Sequence, residues 1–337
     1  RANDFGYSKH PDETLAIWNK DEVLSDVVWA IRKFKPDVII NRFDHRRSGR
    51  THGHHTSSAL LSMEAFDLVN DKSKFSDQLK HVDIWQPKRL FFNTGWWFYG
   101  SQENFAKADK SDMLNIDIGV YYPLKGLSNN EVASLASSQH LCQGFGRLTQ
   151  RGSQKEYIEF LKGEFPEDPT NLFSGIDTSW NRLKGGQEIG DILKKVETNF
   201  NFKDPSSHIN DLMEAYSLIS KLENDHWKHI KIKQIKNIIQ ACAGLYIEAS
   251  SNTPTASNTS DVKLNFEVLN RSNVPINLIS YNIPDMTEGV EKGIELSPNN
   301  KFNFEESIAI KDTEYTAPYW LESKGTLGMY KVDERML

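Results

Sequence analysis

The amino-acid sequence predicts an α/β chain: a parallel sheet flanked by helices, then a helical segment, then a partial β-sandwich. Three patterns predict it. Amphipathic helical spacing alternates with short apolar runs up to about His140, strand-free helical patterns run from Asp191 to Ala249, and one-in-two apolar alternation begins at Val262.

From Asp21 onward Val23, Leu24, Val27, Val28, Ile31 and Phe34 recur at helical spacing, with acidic residues at the start and Lys33 and Lys35 at the end, which suits the helix dipole. Pro36 stops that helix. Val38-Ile39-Ile40 then forms a continuous apolar run, the pattern of a strand covered on both faces. A second helix is expected from about His54 to Val69, burying Leu60, Leu61, Ala65 and Leu68. Arg89 to Thr94 reads as the next strand, and Ile116, Ile118 and Val120 alternate in a third. Ser128-Asn129-Asn130 offers capping oxygens for a helix from Glu131 to His140. Helix, strand, helix, strand with short links is the order of a Rossmann-like parallel sheet, in which ligands collect at the carboxyl ends of the strands.

Beyond this part, Leu212, Tyr216, Ile219 and Leu222 mark the helical segment, and the Ser/Asn/Thr/Pro stretch Ser250 to Ser260 reads as a linker. Val262, Leu264, Phe266 and Val268 then alternate with polar residues, Asn270 to Asn273 make a turn, and Ile276 to Ile279 continue as strand. The expected domains are 1–178, 179–255 and 256–337, the last an Ig-like β-sandwich that is incomplete.

A chain of 337 residues is long enough for two or three cores, and because it opens on Arg1 it is expected to be a piece of a longer protein. A net charge of −6 gives no clustered basic face for nucleic acid. No apolar run reaches the length of a membrane span. Cys142 and Cys242 are too far apart and too few for a disulfide framework or a Cys-based zinc site.

The chemistry concentrates in Thr51-His52-Gly53-His54-His55-Thr56, past the carboxyl end of the first strand and at the start of the next helix. Neutral imidazole is a strong zinc ligand, and a catalytic zinc takes three protein ligands plus water. His52 and His55, spaced i, i+3 in a first helical turn, can project toward one point, whereas His54 points elsewhere.

His52-Gly53-His54-His55 resembles the His-x-x-His motif of the PIG-L/LmbE-like zinc-dependent deacetylases of N-acetylglucosamine-containing substrates. His140-Leu141-Cys142-Gln143 is similar to that family's late His-x-x-Gln, and Asp4-Phe5-Gly6 to its Asp-x-Gly. The resemblance covers about Arg1 to Thr178. It implies that His55 is a Zn2+ ligand and that His52 is the catalytic histidine, stabilising the oxyanion or protonating the departing amine. It implies further that Asp4 contacts a sugar hydroxyl and that His140 and Gln143 support the substrate pocket.

The family's remaining ligands and its base come from an early His-Pro-Asp-Asp that follows an apolar strand. His10-Pro11-Asp12-Glu13 has nearly those letters, yet it follows no strand and lies after Asp4-Phe5-Gly6 rather than before it. Pro11, Asp12 and Glu13 suit the first turn of a surface helix instead. The matching motif is therefore expected upstream of Arg1.

His226-Trp227-Lys228-His229 repeats the i, i+3 spacing inside a Lys-rich helical pattern and reads as a solvated helix face. Trp96-Trp97-Phe98-Tyr99 can stack on sugar faces or simply pack a loop.

The leading expectation is a metal-dependent amidohydrolase that removes the acetyl group from an N-acetylated amino sugar. A metallophosphoesterase-like hydrolase is the first alternative, because Gly-His motifs after strands serve there too, although the second His falls one position early. A non-catalytic carbohydrate-binding surface protein is the other. The appended sandwich makes a secreted or periplasmic bacterial setting the favoured location.

Overall fold

The computed structural model describes residues 1–48, 50–143, 149–257, 259–283, 287–310 and 317–332. It is mixed α/β, with several small open sheets. The chain divides into two compact units, Arg1–Ile176 together with Ala317–Leu337, and Asp177–Thr316.

In the first unit, helix α1 (Pro11–Trp18) opens with Pro11 in its first turn and Asp12 and Glu13 at its positive end, so the His-Pro-Asp-Glu letters do form a helix start. Helix α2 (Lys20–Phe34) follows after Asn19 at φ 57° and ends on Lys35 in the left-handed conformation. Strand β1 (Val38–Asn41), helix α3 (Gly53–Leu68) and strand β2 (Arg89–Thr94) come next, and β1 and β2 pair in parallel. Val23, Leu24, Val28 and Ile31 of α2 bury against Leu61 and Ala65 of α3, the stripe expected from their spacing.

Two short helices, α4 (Trp96–Tyr99) and α5 (Gln102–Lys107), lead to strand β3 (Met113–Asp117). The expected strand through Ile118 and Val120 stops at Asp117. Its carboxylate accepts hydrogen bonds from Gly119 N, Gln154 N and Ser153 Oγ and turns the chain there. A small hairpin of β4 (Tyr121–Tyr122) and β5 (Leu127–Ser128) precedes helix α6 (Asn129–Ser137), where Ser128 and Glu131 form a reciprocal capping box.

Strand β6 (Lys155–Gly163) changes the sheet. The strand order is β1-β2-β6-β3, and β6 runs antiparallel to both β2 and β3. One parallel pair is therefore present where an all-parallel sheet was expected. Phe91, Leu114 and Ile158 close the core on these central strands. Residues 1–3 and 328–330 also pair, through the Ala2–Met329 bridge and the bonds Asn3 N to Gly328 O and Tyr330 N to Arg1 O.

In the second unit, helices α7 (Gly186–Thr198), α8 (Ile209–Ser220) and α9 (Asp225–Ala243) bury Ile189, Val196, Leu212, Ile219 and Ile235. Strand β7 (Tyr246–Ser251) begins before the expected linker and draws Ser250 and Ser251 into a ladder. It joins β8 (Asp261–Leu269) and β11 (Lys301–Ala309) in one antiparallel sheet, while β9 (Asn277–Ile283) and β10 (Thr287–Glu295) form a second. Phe266 and Phe304 stack at 4.6 Å, and both meet Tyr281 of the second sheet. The helical and strand-rich segments, read from the sequence as separate domains, lie in this single unit, and 317–337 cluster with the first.

Candidate active site at the start of α3

The chain leaves the carboxyl end of β1 at Asn41, runs through a basic loop and enters α3 at His52, the N-cap residue. The loop is tied down by charge. Asp44, 3% exposed, accepts from the backbone N and Nε of Arg46, and Arg46 forks onto Glu159 of β6 at 2.7 and 2.9 Å. This pairing holds the Arg46 guanidinium in its charged form and fixes the loop to the middle of the sheet.

Phe43, held in the same loop, stacks flat on His55 with ring centroids 3.8 Å apart. His55 in turn lies parallel to His52 at 5.1 Å, and Tyr7 meets the His52 ring edge-on. His52 is exposed and His55 half-buried. Burial first, then the nearby imidazoles of His52 and His54, push the His55 pKa below the ordinary histidine value, so the ring is neutral at pH 7.

His54 points the other way, into Phe5 at 4.7 Å and Trp18 at 4.9 Å. Ser8 Oγ shares hydrogen bonds with Thr14 Oγ1 at 2.6 Å and with His54 Nδ1 at 3.1 Å, and Thr14 Oγ1 also lies within bonding distance of His10 O. Its Nε2 is buried with no partner among the described residues. Gly53 explains why these segments touch: its N–H donates to Ser8 O, and a Cβ there would sit 2.5 Å from His10 O. The motif-like His10 segment is thus packing against the histidine stretch.

The family-derived roles distribute unevenly. Asp4 is exposed and accepts from Gly6 N in a tight turn, while its neighbour Phe5 reaches His54. His140 is exposed just past the end of α6, its N–H donating to Ser137 O. Gln143 ends the short 3-10 turn Leu141–Gln143, and its side chain lies outside the described residues. Sequence reasoning missed Phe43, Tyr7 and the Asp44–Arg46–Glu159 tie. It weighed Trp97, and the structure places that ring on the wall of a cavity of about 170 Å3 with Arg47, Arg50 and Thr51, the residue before His52.

Zinc fits part of this arrangement. The in-plane lone pairs of two parallel rings lying in different planes do not meet at one ion, so His52 and His55 as placed supply one ligand, not two. Neutral, half-buried His55 has the form required. Among the described residues no group of three or more His, Cys, Asp or Glu side chains is placed to hold a metal ion. No helix among them is long and apolar enough to cross a membrane.

Compared with known proteins, the chain matches no family model, no curated protein and no solved structure.

Proposed function

We propose that the first unit is the carboxyl-terminal part of a Rossmann-like deacetylase domain, acting on an N-acetylglucosamine-type amino sugar or glycoconjugate. The parallel β1-α3-β2 crossover is the repeating unit of such sheets, and the histidines sit at its carboxyl end. The observation that carries the reading is the division of labour between two histidines one helical turn apart. His55 is neutral and braced by Phe43, as a zinc ligand must be, and His52 is exposed beside it.

In this reading the other zinc ligands and the general base come from a His-Pro-Asp-Asp motif upstream of Arg1. Bound zinc supplies a Lewis acid for the acetyl carbonyl and a water of lowered pKa. His52 delivers a proton to the departing amine, and the amino end of α3 beside it favours the negative charge that develops on the carbonyl oxygen. Trp97 offers an apolar face to the sugar ring.

Acetate release from N-acetylglucosamine conjugates, measured on the protein with its upstream sequence, tests this. His52→Ala is expected to lower kcat by about 10²-fold or more. Equal kcat in that variant removes the catalytic assignment, and hydrolysis of a phosphodiester in place of the amide puts the site in the phosphoesterase class.

A further inference from the structure

A concavity in the second unit is lined by none of the histidines of the first. It is a cavity of about 650 Å3 formed by α8, α9 and the segments before β7 and β9. Its walls are apolar, with Ile209, Met213, Ile239, Leu245, Val274 and Ile276 turned to it. Met213 remains 46% exposed although it stands on a helix that otherwise buries Leu212, Ala215 and Ile219. Sites of roughly 300–1,000 Å3 with apolar walls and a few polar groups are the size and character of small-molecule pockets.

One charged residue lines it. Lys236 is exposed, its ammonium lies 5.7 Å from the centroid of the Tyr216 ring, and it meets no carboxylate among the described residues. Lys228 on the same helix, by contrast, pairs with Asp225 at 2.8 Å. The amides of Asn210 and Gln240 stand on the same lining. An apolar cavity with a single uncompensated cation complements a molecule with an apolar body and one anionic end.

We infer that this cavity binds a small amphiphile, an acyl or aryl carboxylate, with its apolar part among Ile209, Met213 and Ile239 and its carboxylate on Lys236. Calorimetric titration of the full chain with decanoate and with decanol tests this. Decanoate binds one per chain and about tenfold more tightly than decanol. Lys236→Met brings decanoate to the decanol level, and Met213→Asp, at an exposed helical position, removes both while leaving the circular dichroism of the chain unchanged. No saturable binding, or a charge preference that survives Lys236→Met, overturns the inference. So does self-association of the ligand-free chain that Met213→Asp abolishes, because the cavity then belongs to a second copy. None of these outcomes depends on zinc or deacetylation.

Discussion

At the scale of single residues, Gly53 and His54 show what a three-histidine stretch does with its unreactive members. Gly53 lets the start of α3 come within hydrogen-bonding distance of Ser8 and the start of α1, and His54 fills the space beneath with Phe5, Trp18 and Ser8. Gly53→Ala must push against backbone at His10 as well as the Ser8 and Thr14 hydroxyls. It is expected to cost about 2–3 kcal/mol in urea unfolding, and a change under 0.5 kcal/mol would show that the contact relaxes freely. The separation of His54 from its neighbours was legible in the i, i+3 spacing. That its partners would be the residues just before the misleading His-Pro-Asp-Glu letters was not, because Ser8 and His54 meet across 46 positions of sequence.

Among the elements, the helices and apolar strands were read from periodicity, whereas β6 was not. Lys155-Glu156-Tyr157-Ile158-Glu159-Phe160 alternates poorly, since Glu159 is buried with its charge and not on the solvent face. Its partner Arg46 lies 113 residues away, so no local pattern announces the strand. Tyr157, Ile158 and Phe160 between Gly152 and Gly163 were the available signal. Arg32 was hidden for the same reason. It stands in the last turn of α2 like a surface cation, yet it is fully buried. Its guanidinium donates to the carbonyls of Leu68, Val69, Asp71, Lys74 and Phe75 and to Gln78 Oε1, which fixes the chain leaving α3. Arg32→Met would strand several carbonyl oxygens, an expected loss of about 3 kcal/mol in thermal or urea unfolding. Unchanged stability would mean that water replaces the guanidinium.

For the whole molecule, two partly buried histidines, His45 in the loop after β1 and His55 in the first turn of α3, link folding to pH. Burial first, then Arg46, lowers the pKa of His45, and burial first, then His52 and His54, lowers that of His55. Below the unfolded histidine value of about 6.5 the unfolded chain binds more protons than the folded one. The stability these groups contribute is therefore complete above that pH and declines as pH falls through it toward the folded-state values. Urea midpoints taken from pH 7.5 downward should fall, with a smaller fall in His55→Phe; an equal slope in the two proteins would remove His55 from the linkage. The mixed α/β character was legible because helix and strand periods are local. The antiparallel pairing of β6 was not, since it depends on residues distant in sequence.

The central claim is that His55 is a zinc ligand in a site completed by upstream sequence, and zinc stoichiometry on the protein carrying that sequence tests it most directly. The parent is expected to hold one zinc per chain, and His55→Ala to lose it, with affinity lower by at least about 10²-fold, while His52→Ala retains it. A His55→Ala protein that binds zinc as tightly as the parent would contradict the assignment.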